Sequence, residues 1–300
     1  MTVTLDWLGC ATYRLTVDGL VIFLDTFMDR ISSAPPVGLT SDGVIEADYA
    51  LIGHAHFDHL AGADVIAKRT GAKVIGSHES IRVLRDAGVP EAQLVATQGG
   101  DRFQLSDRVS VRAFPSLHSC TWSDTAPPGT PVLGDLGVTT DERLARAVAN
   151  RAAGGRTRGL GEALQQESEA LRARMVSSTS DGGALDYLIE TPEGTVFFQD
   201  SMGSWSGVLR DIRADVAILA ASARANVDGE PIQGAVEDFI AQEVEVLRPR
   251  TLFLGDHDNW AGTPDVPDVV DVSPVRERLA RVALSTRLIE VGYLEGTRLF

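Results

Sequence analysis

The sequence predicts an α/β protein in which two β-sheets pack on one another and helices cover their outer faces. Three observations carry that reading. Runs such as 20–24 (Leu-Val-Ile-Phe-Leu) and 215–220 are apolar without alternation, as strands are when both of their faces are covered. Stretches with helical spacing, such as 232–247 and 273–283, alternate with such runs. Finally, His54, His118, Asp200 and His257 each fall at or just past the end of an apolar run. Residues so distant in the chain converge easily on one rim when their strands belong to two packed sheets, and rims are where folds place chemistry.

Taken in order, 3–8, 12–17 and 20–25 read as strands, with Asp18-Gly19 as a hairpin turn between the last two. Residues 28–43 form a Pro/Ser-rich loop of the kind that often rims a site. The apolar run 49–52 reads as a buried strand that ends at Gly53. Helices are expected over 62–69 and 80–87, with a strand at 73–76 between them and His78 in the cap region of the second. Strands follow at 94–97, 103–105 and 109–114. From 120 to 140 the chain is dense in Pro, Gly and Thr, and 141–177 reads as a helical insertion split by Gly154, Gly155 and Gly159. Its Leu/Val/Met stripe needs an apolar surface: either the insertion is a solvated helical hairpin with that stripe on the core, or it is a lid over the site or an oligomer contact. Strands resume at 184–190 and 195–199 across a Pro192-Glu193-Gly194 turn, then at 215–220, 251–254, 286–291 and 297–300. The whole, 1–300, is expected to be a single domain.

Composition bounds the function. A formal charge of −15 argues against a nucleic-acid surface, which needs clustered Lys and Arg, and against adsorption to an anionic membrane. Lys68 and Lys73 are the only lysines. No run of about 18 apolar residues is present, so no membrane span is expected. The first twenty residues carry Asp6, Arg14 and Asp18 and lack the apolar core of a signal peptide. Cys10 and Cys120 do not make a disulfide framework. A cytoplasmic protein acting on a small molecule is the expectation.

The chemistry concentrates in Ile52–Leu60, where His54, His56, Asp58 and His59 fit His-x-His-x-Asp-His. The chain holds 6 histidines in all, so three within one hexapeptide point to a bound cation rather than to a polar loop. His54 and His56 alternate and so face one side of an extended segment, while Asp58 and His59 lie past the bend. His54, His56 and His118 would give a three-nitrogen site with an open position, the catalytic arrangement of zinc. Asp58, His59 and His257 would hold a second ion, with Asp200 bridging the two. Seven ligands exceed what one tetrahedral ion takes, so two divalent ions are expected: zinc, with manganese or iron as alternatives. Two such cations sharing a hydroxide bring its pKa toward neutrality. Asp25, at a strand end, is read as a carboxylate that orients a metal-bound histidine. Trp122, Trp205 and Trp260 fall near the ligands and could wall a pocket. No tight group of Arg or Lys stands beside the motifs, which favours a carboxylic ester or lactone over a phosphodiester.

With His54-x-His56-x-Asp58-His59, His118, Asp200 and His257 in that order, and Asp25 as a first motif, the chain resembles the metallo-β-lactamase superfamily. The stretch Trp7-Leu8-Gly9-Cys10-Ala11-Thr12 with Ile22-Phe23-Leu24-Asp25-Thr26 resembles the branch of ascorbate-6-phosphate lactonase-like and N-acyl-phosphatidylethanolamine phospholipase-like hydrolases. That branch often has histidine where Cys10 stands and proline where Thr26 stands. The resemblance implies an αββα four-layer sandwich with a dinuclear metal site at the sheet edge, Asp58 and Asp200 included in its catalytic machinery. It implies a hydrolase, with phosphodiesterase or phospholipase D-like action as the alternative, and a β-lactamase or a non-enzymatic binding protein behind those. Iron redox chemistry on this fold is disfavoured by His56, where diiron members carry glutamate.

Overall fold

The first sheet starts from two hairpins. β1 (Val3–Trp7), β2 (Tyr13–Val17) and β3 (Leu20–Leu24) run antiparallel. Asp18 and Gly19, at φ 49° and 90°, supply the two left-handed residues that a tight hairpin turn demands. β4 (Tyr49–Leu51), β5 (Lys73–Gly76) and β6 (Leu94–Ala96) then extend the sheet in parallel. The crossovers carry α1 (Phe57–Leu60), α2 (Ala63–Thr70) and α3 (His78–Asp86). The computed structural model describes residues 2–120, 139–152, 160–231 and 234–300, with 150 and 151 as backbone alone.

The second sheet begins with β7 (Arg102–Gln104) and β8 (Ser110–Pro115). The insertion follows, with α4 (Thr140–Ala152) and α5 (Glu162–Arg172). The chain returns through β9 (Leu185–Glu190), β10 (Thr195–Gln199), β11 (Gly203–Ser204), α6 (Ser206–Leu209) and β12 (Val216–Ala220). A small ribbon, β13 (Asn226–Val227) and β14 (Glu230–Pro231), precedes α7 (Val236–Leu247) and β15 (Thr251–Gly255). α8 (Ser273–Val282), β16 (Arg287–Leu288) and β17 (Thr297–Arg298) close the chain. The strand orders are β17-β1-β2-β3-β4-β5-β6 and β16-β15-β12-β10-β9-β8-β7.

Alternation along the central strands explains the four layers. Ile22, Leu24, Phe198, Val216, Ile218 and Phe253 point between the sheets and form the central core. Their neighbours Phe197, Ala217, Leu219, Leu252 and Leu254 turn the other way, onto α7 and α8. Phe23, Ala50 and Val74 likewise meet α2 and α3 on the outer face of the first sheet. These strands are apolar throughout because each buries both faces, and the αββα sandwich is the result. No helix among the described residues is long and apolar enough to cross a membrane.

Three expectations differ in detail. The helix expected over 232–247 begins at Val236, with 232 and 233 outside the described residues. The closing strands shrink to Arg287–Leu288 and Thr297–Arg298, because they pair only at sheet edges. The apolar stripe of the insertion divides between its helices. Leu160, Leu164 and Leu171 pack on Ile31 and Ala34, whereas Leu144 and Val148 of α4 are 61% and 62% exposed. The glycines expected to split the insertion lie outside the described residues.

Glu243 of α7 is buried among these layers, accepting one hydrogen bond, from Ser204 Oγ at 2.7 Å, with Oε2 unpartnered. Burial pushes its carboxyl up to about 7, the Ser204 bond opposing in part. A raised carboxylate pKa means that the native state keeps a proton the unfolded chain has lost. Stability therefore falls as pH rises from about 4.5 to about 7 and is level above that, by about 3 kcal/mol. Glu243→Gln is expected to remove this slope. Thermal unfolding at pH 5 and pH 8 checks it: the variant's advantage should appear at pH 8 and vanish at pH 5.

Candidate metal centre

The centre is assembled at the exits of β3, β4, β8 and β10. Past β4 the backbone stays extended through His56, at φ −69° and ψ 158°, and then enters α1. His54 and His56 thus alternate on one segment, while Asp58 and His59 ride on the first turn of the helix. Asp25 takes a left-handed backbone at the end of β3, φ 53°. Its Oδ1 accepts the Gly53 N–H at 2.9 Å, and its Oδ2 lies 2.7 Å from His59 Nδ1. After β8, Asn226 Nδ2 donates to the His118 carbonyl at 2.8 Å, and His118 Nδ1 donates to the Ser119 carbonyl at 2.8 Å. That bond places the proton on Nδ1 and leaves Nε2 as a lone pair facing His56 Nδ1 at 3.1 Å.

Two groups of ligand atoms converge, each within 4.8 Å: His54, His56 and His118, and His54, His59 and Asp200. His54 joins them, with Nδ1 2.6 Å from Asp200 Oδ2 and Nε2 buried without a partner. Asp200 Oδ2 is also 3.3 Å from His59 Nδ1. Burial, with the nearby rings of His59, His118 and His56, holds the His54 imidazole well below its usual range. Burial and His118 bring His56 down to about 4. Burial also lowers His118, against the Ser119 bond. Three neutral imidazoles with an orphaned buried nitrogen among them are what a divalent cation binds, so the donor set fits a metal. His59 behaves oppositely. Burial opposes its charge, but Asp25, Asp200 and Asp58 outweigh it and hold the ring up to about 10. A cation arriving beside these carboxylates would take over that compensating role.

Two expected ligands stand outside both groups. Asp58 is half-buried, and its carboxylate has no hydrogen bond or ion pair among the described residues. His257 stacks on Trp7, with centroids 4.5 Å apart and planes 7° apart, and its Nδ1 is buried without a partner. The reason lies one residue earlier. Asp256 adopts φ 54° and turns its own side chain to the Cys10 side, where Oδ1 receives Trp260 Nε1 at 2.7 Å and lies 3.3 Å from Cys10 Sγ. Cys10 Sγ is in turn 3.4 Å from the Asp58 carbonyl. Asp258 is taken up by Arg30, Tyr293 and the Cys10 N–H.

Beside Asp58 lies a cleft lined by Phe27, Phe57, Trp260, Met175, Arg30 and Arg172. The sequence shows no tight group of Arg or Lys beside the motifs, and folding brings two separate arginines, Arg30 and Arg172, to line this cleft. Trp260 is buried in its wall, Trp205 sits at the start of α6 at 39% exposure, and Trp122 lies outside the described residues. His78 is exposed at the start of α3, whose cap is Ser77.

Asp25→Asn keeps the shape but removes the charge that orients His59. It is expected to weaken metal affinity by roughly 10–100-fold, the range for lost outer-shell carboxylates. Competition with a chromogenic chelator measures this, and unchanged affinity would reduce Asp25 to a turn residue.

A family model described as a β-lactamase superfamily domain matches residues 21–144. A UPF0173 metal-dependent hydrolase of Pyrobaculum neutrophilum is 30% identical over 146 residues, 46% of this chain and 64% of that protein. The match therefore spans a little under two-thirds of the relative's length. Among solved structures, Igni18, a metallo hydrolase of Ignicoccus hospitalis, superposes with TM-score 0.62 over 100% of this chain and 99% of that one, at 16% identity. CmlA, a diiron β-hydroxylase of Streptomyces venezuelae, superposes with TM-score 0.59 at 14% identity, over 99% of this chain and 54% of that one. At such identities these two neighbours share the fold, and the pairing of a hydrolase with a hydroxylase leaves the chemistry to the site itself.

Proposed function

We propose that the chain is a member of the metallo-β-lactamase superfamily and a metal-dependent hydrolase. It holds two divalent ions, zinc in this reading, and cleaves an ester or lactone bond of a small molecule. The observation that carries the proposal is the meeting of His54, His56 and His118 around a buried, unpartnered His54 Nε2. Those three side chains would hold one ion, and His59 and Asp200 would hold the other with Asp58. Bound there, the ions supply Lewis acidity and a water acidic enough to attack at neutral pH. The chain's own groups do the rest. Asp25 fixes the His59 ring, and the Ser119 carbonyl fixes that of His118. Asp58, its carboxylate otherwise unpaired, takes the proton of the attacking water and delivers it to the leaving oxygen. Phe27, Phe57 and Trp260 keep the approach apolar, and α5 covers it, so the insertion acts as the lid. His56, an imidazole where diiron members of the fold carry glutamate, sets this reading ahead of iron chemistry. Phosphodiester cleavage is the second reading, and the arginines of the cleft favour it.

The test is turnover by zinc-loaded protein across aryl esters, lactones, bis-aryl phosphodiesters and β-lactams. Ester or lactone hydrolysis, lost on chelation and restored by zinc, is the expected result. Turnover indifferent to chelation, or none on any of these substrates, would contradict the proposal.

A further inference from the structure

We propose that the cleft between Phe27, Phe57, Trp260 and α5 is a subsite for an organic anion, an aryl or bulky acyl group bearing a carboxylate or phosphate, and that Arg172 pairs with its charge. This deepens the reading above by naming the class of substrate offered to the metal centre, and rests on that reading only for the cleavage step.

The apolar half of the subsite is three aromatic rings meeting edge to face. Phe27 lies 5.7 Å from Phe57 and 5.6 Å from Trp260, at interplanar angles of 88° and 83°. Phe57 and Trp260 are 5.8 Å apart at 67°. The Trp260 N–H is already used by Asp256, so the indole offers the cleft no donor of its own. Such a wall takes a ring or a branched acyl chain. The space in front of this wall is open to solvent, so the subsite is a shallow cleft rather than an enclosed cavity.

The polar half is cationic. Arg172, the last residue of α5, sets its guanidinium 4.1 Å from the centroid of the Phe57 ring and remains accessible to solvent. A guanidinium stacked on a ring still has its N–H groups for hydrogen bonds. Those of Arg172 have no hydrogen-bond or ion-pair partner among the described residues, in a chain with 42 acidic side chains to 27 basic ones. Most arginines seen in ion pairs here, Arg85, Arg143 and Arg278 among them, take an acid from a nearby element. Arg30, which also lines the cleft with its side chain 4% exposed, gives Nη1 to Asp258 and leaves Nε and Nη2 buried without an acceptor, Nη2 against Gly9. The Arg172 guanidinium, which feels the Asp58 carboxylate and is otherwise met by solvent, leaves N–H groups beside the ring wall that an anionic occupant can take up.

Position ties the subsite to the reacting bond. Phe57 immediately precedes Asp58, and Trp260 reaches Cys10 and the Asp58 backbone through Asp256. An anion held by Arg172 with its apolar body on the three rings would extend toward the histidine cluster. α5 reaches this place because Leu171 and Leu164 pack on Ile31 and Glu167 takes both the N–H and the hydroxyl of Ser32.

The test is calorimetric binding to the zinc-loaded protein of 3-phenylpropanoate, its neutral isostere 3-phenylpropan-1-ol, and benzyl phosphate. Wild type should bind an anionic probe at least about 10-fold more tightly than the alcohol, as one charge-assisted pair supplies. Arg172→Gln should bring that ratio within about threefold and leave the affinity for the alcohol unchanged, while Arg172→Lys, which keeps the charge, should hold part of the preference. The anion whose affinity falls further on substitution identifies the head group. A carboxylate bound directly by zinc would keep its advantage in Arg172→Gln, and that result would overturn the assignment. So would an alcohol that binds as tightly as both anions in the wild type, or no binding of any probe. Binding is read without turnover, so failure to hydrolyse any ester counts against the proposed reaction and leaves this subsite standing.

Discussion

His118→Ala is expected to remove a bound metal and turnover together while the chain stays folded. The ring is only half-buried and sits on the segment after β8, so its loss opens little of the core. What disappears is the third nitrogen of the cluster, whose lone pair the Ser119 carbonyl aims at His56. Two imidazoles hold a divalent ion far less well than three, and the site loses the closed set that leaves a single open position. Activity should drop by more than the roughly 10–100-fold that outer-shell partners cost. Thermal unfolding of the metal-free proteins should nearly coincide, because bound metal itself stabilises a fold and would confuse the comparison. Elemental analysis with rates on the best ester substrate checks the prediction. Wild-type metal content and wild-type turnover in the variant would remove His118 from the site.

Gly53→Ala should be nearly as damaging, for a steric reason. Gly53 has an ordinary backbone conformation, so no left-handed turn requires glycine there. Space requires it, since a Cβ at this position would overlap the Asp200 carboxylate. Asp200 would have to leave His54 and His59, while the Gly53 N–H that supports Asp25 would shift with its residue. Overpacking of this kind costs about 1–3 kcal/mol of stability, and metal affinity should fall more than about 10-fold, since a ligand and a supporting carboxylate are disturbed together. Coupling gives the sharper check. In an Asp200→Ala background the clash is gone, so Gly53→Ala should cost much less stability than in wild type. Equal costs in the two backgrounds would mean that the steric account is wrong.

Much of this was legible in the chain because strands buried on both faces leave a mark that survives without neighbours. Leu20–Leu24 and Val216–Ala220 announce covered strands, and the candidate ligands follow such runs within a few residues. Asp25 could be anticipated as an orienting carboxylate at a strand end, but not that His59 is its partner. What could not be read depends on one backbone angle or on contacts across the fold. The left-handed turn at Asp256 puts that carboxylate on the Cys10 side and turns His257 onto Trp7, and nothing in Gly-Asp-His-Asp distinguishes the two outcomes. Arg172 reads as one of several arginines on a solvated helix. The packing of Leu164 and Leu171 on the loop at Ile31, with Glu167 bonded to Ser32, brings it onto Phe57. The exposed Leu144 and Val148 show the converse, an apolar stripe that marks a helix and leaves its partner unspecified.

The most direct measurement is equilibrium dialysis of chelator-treated wild-type protein against zinc, with the bound metal counted by elemental analysis. Close to two equivalents per chain are expected, falling by about one in His56→Ala. Well under one equivalent in the wild type after loading would contradict this.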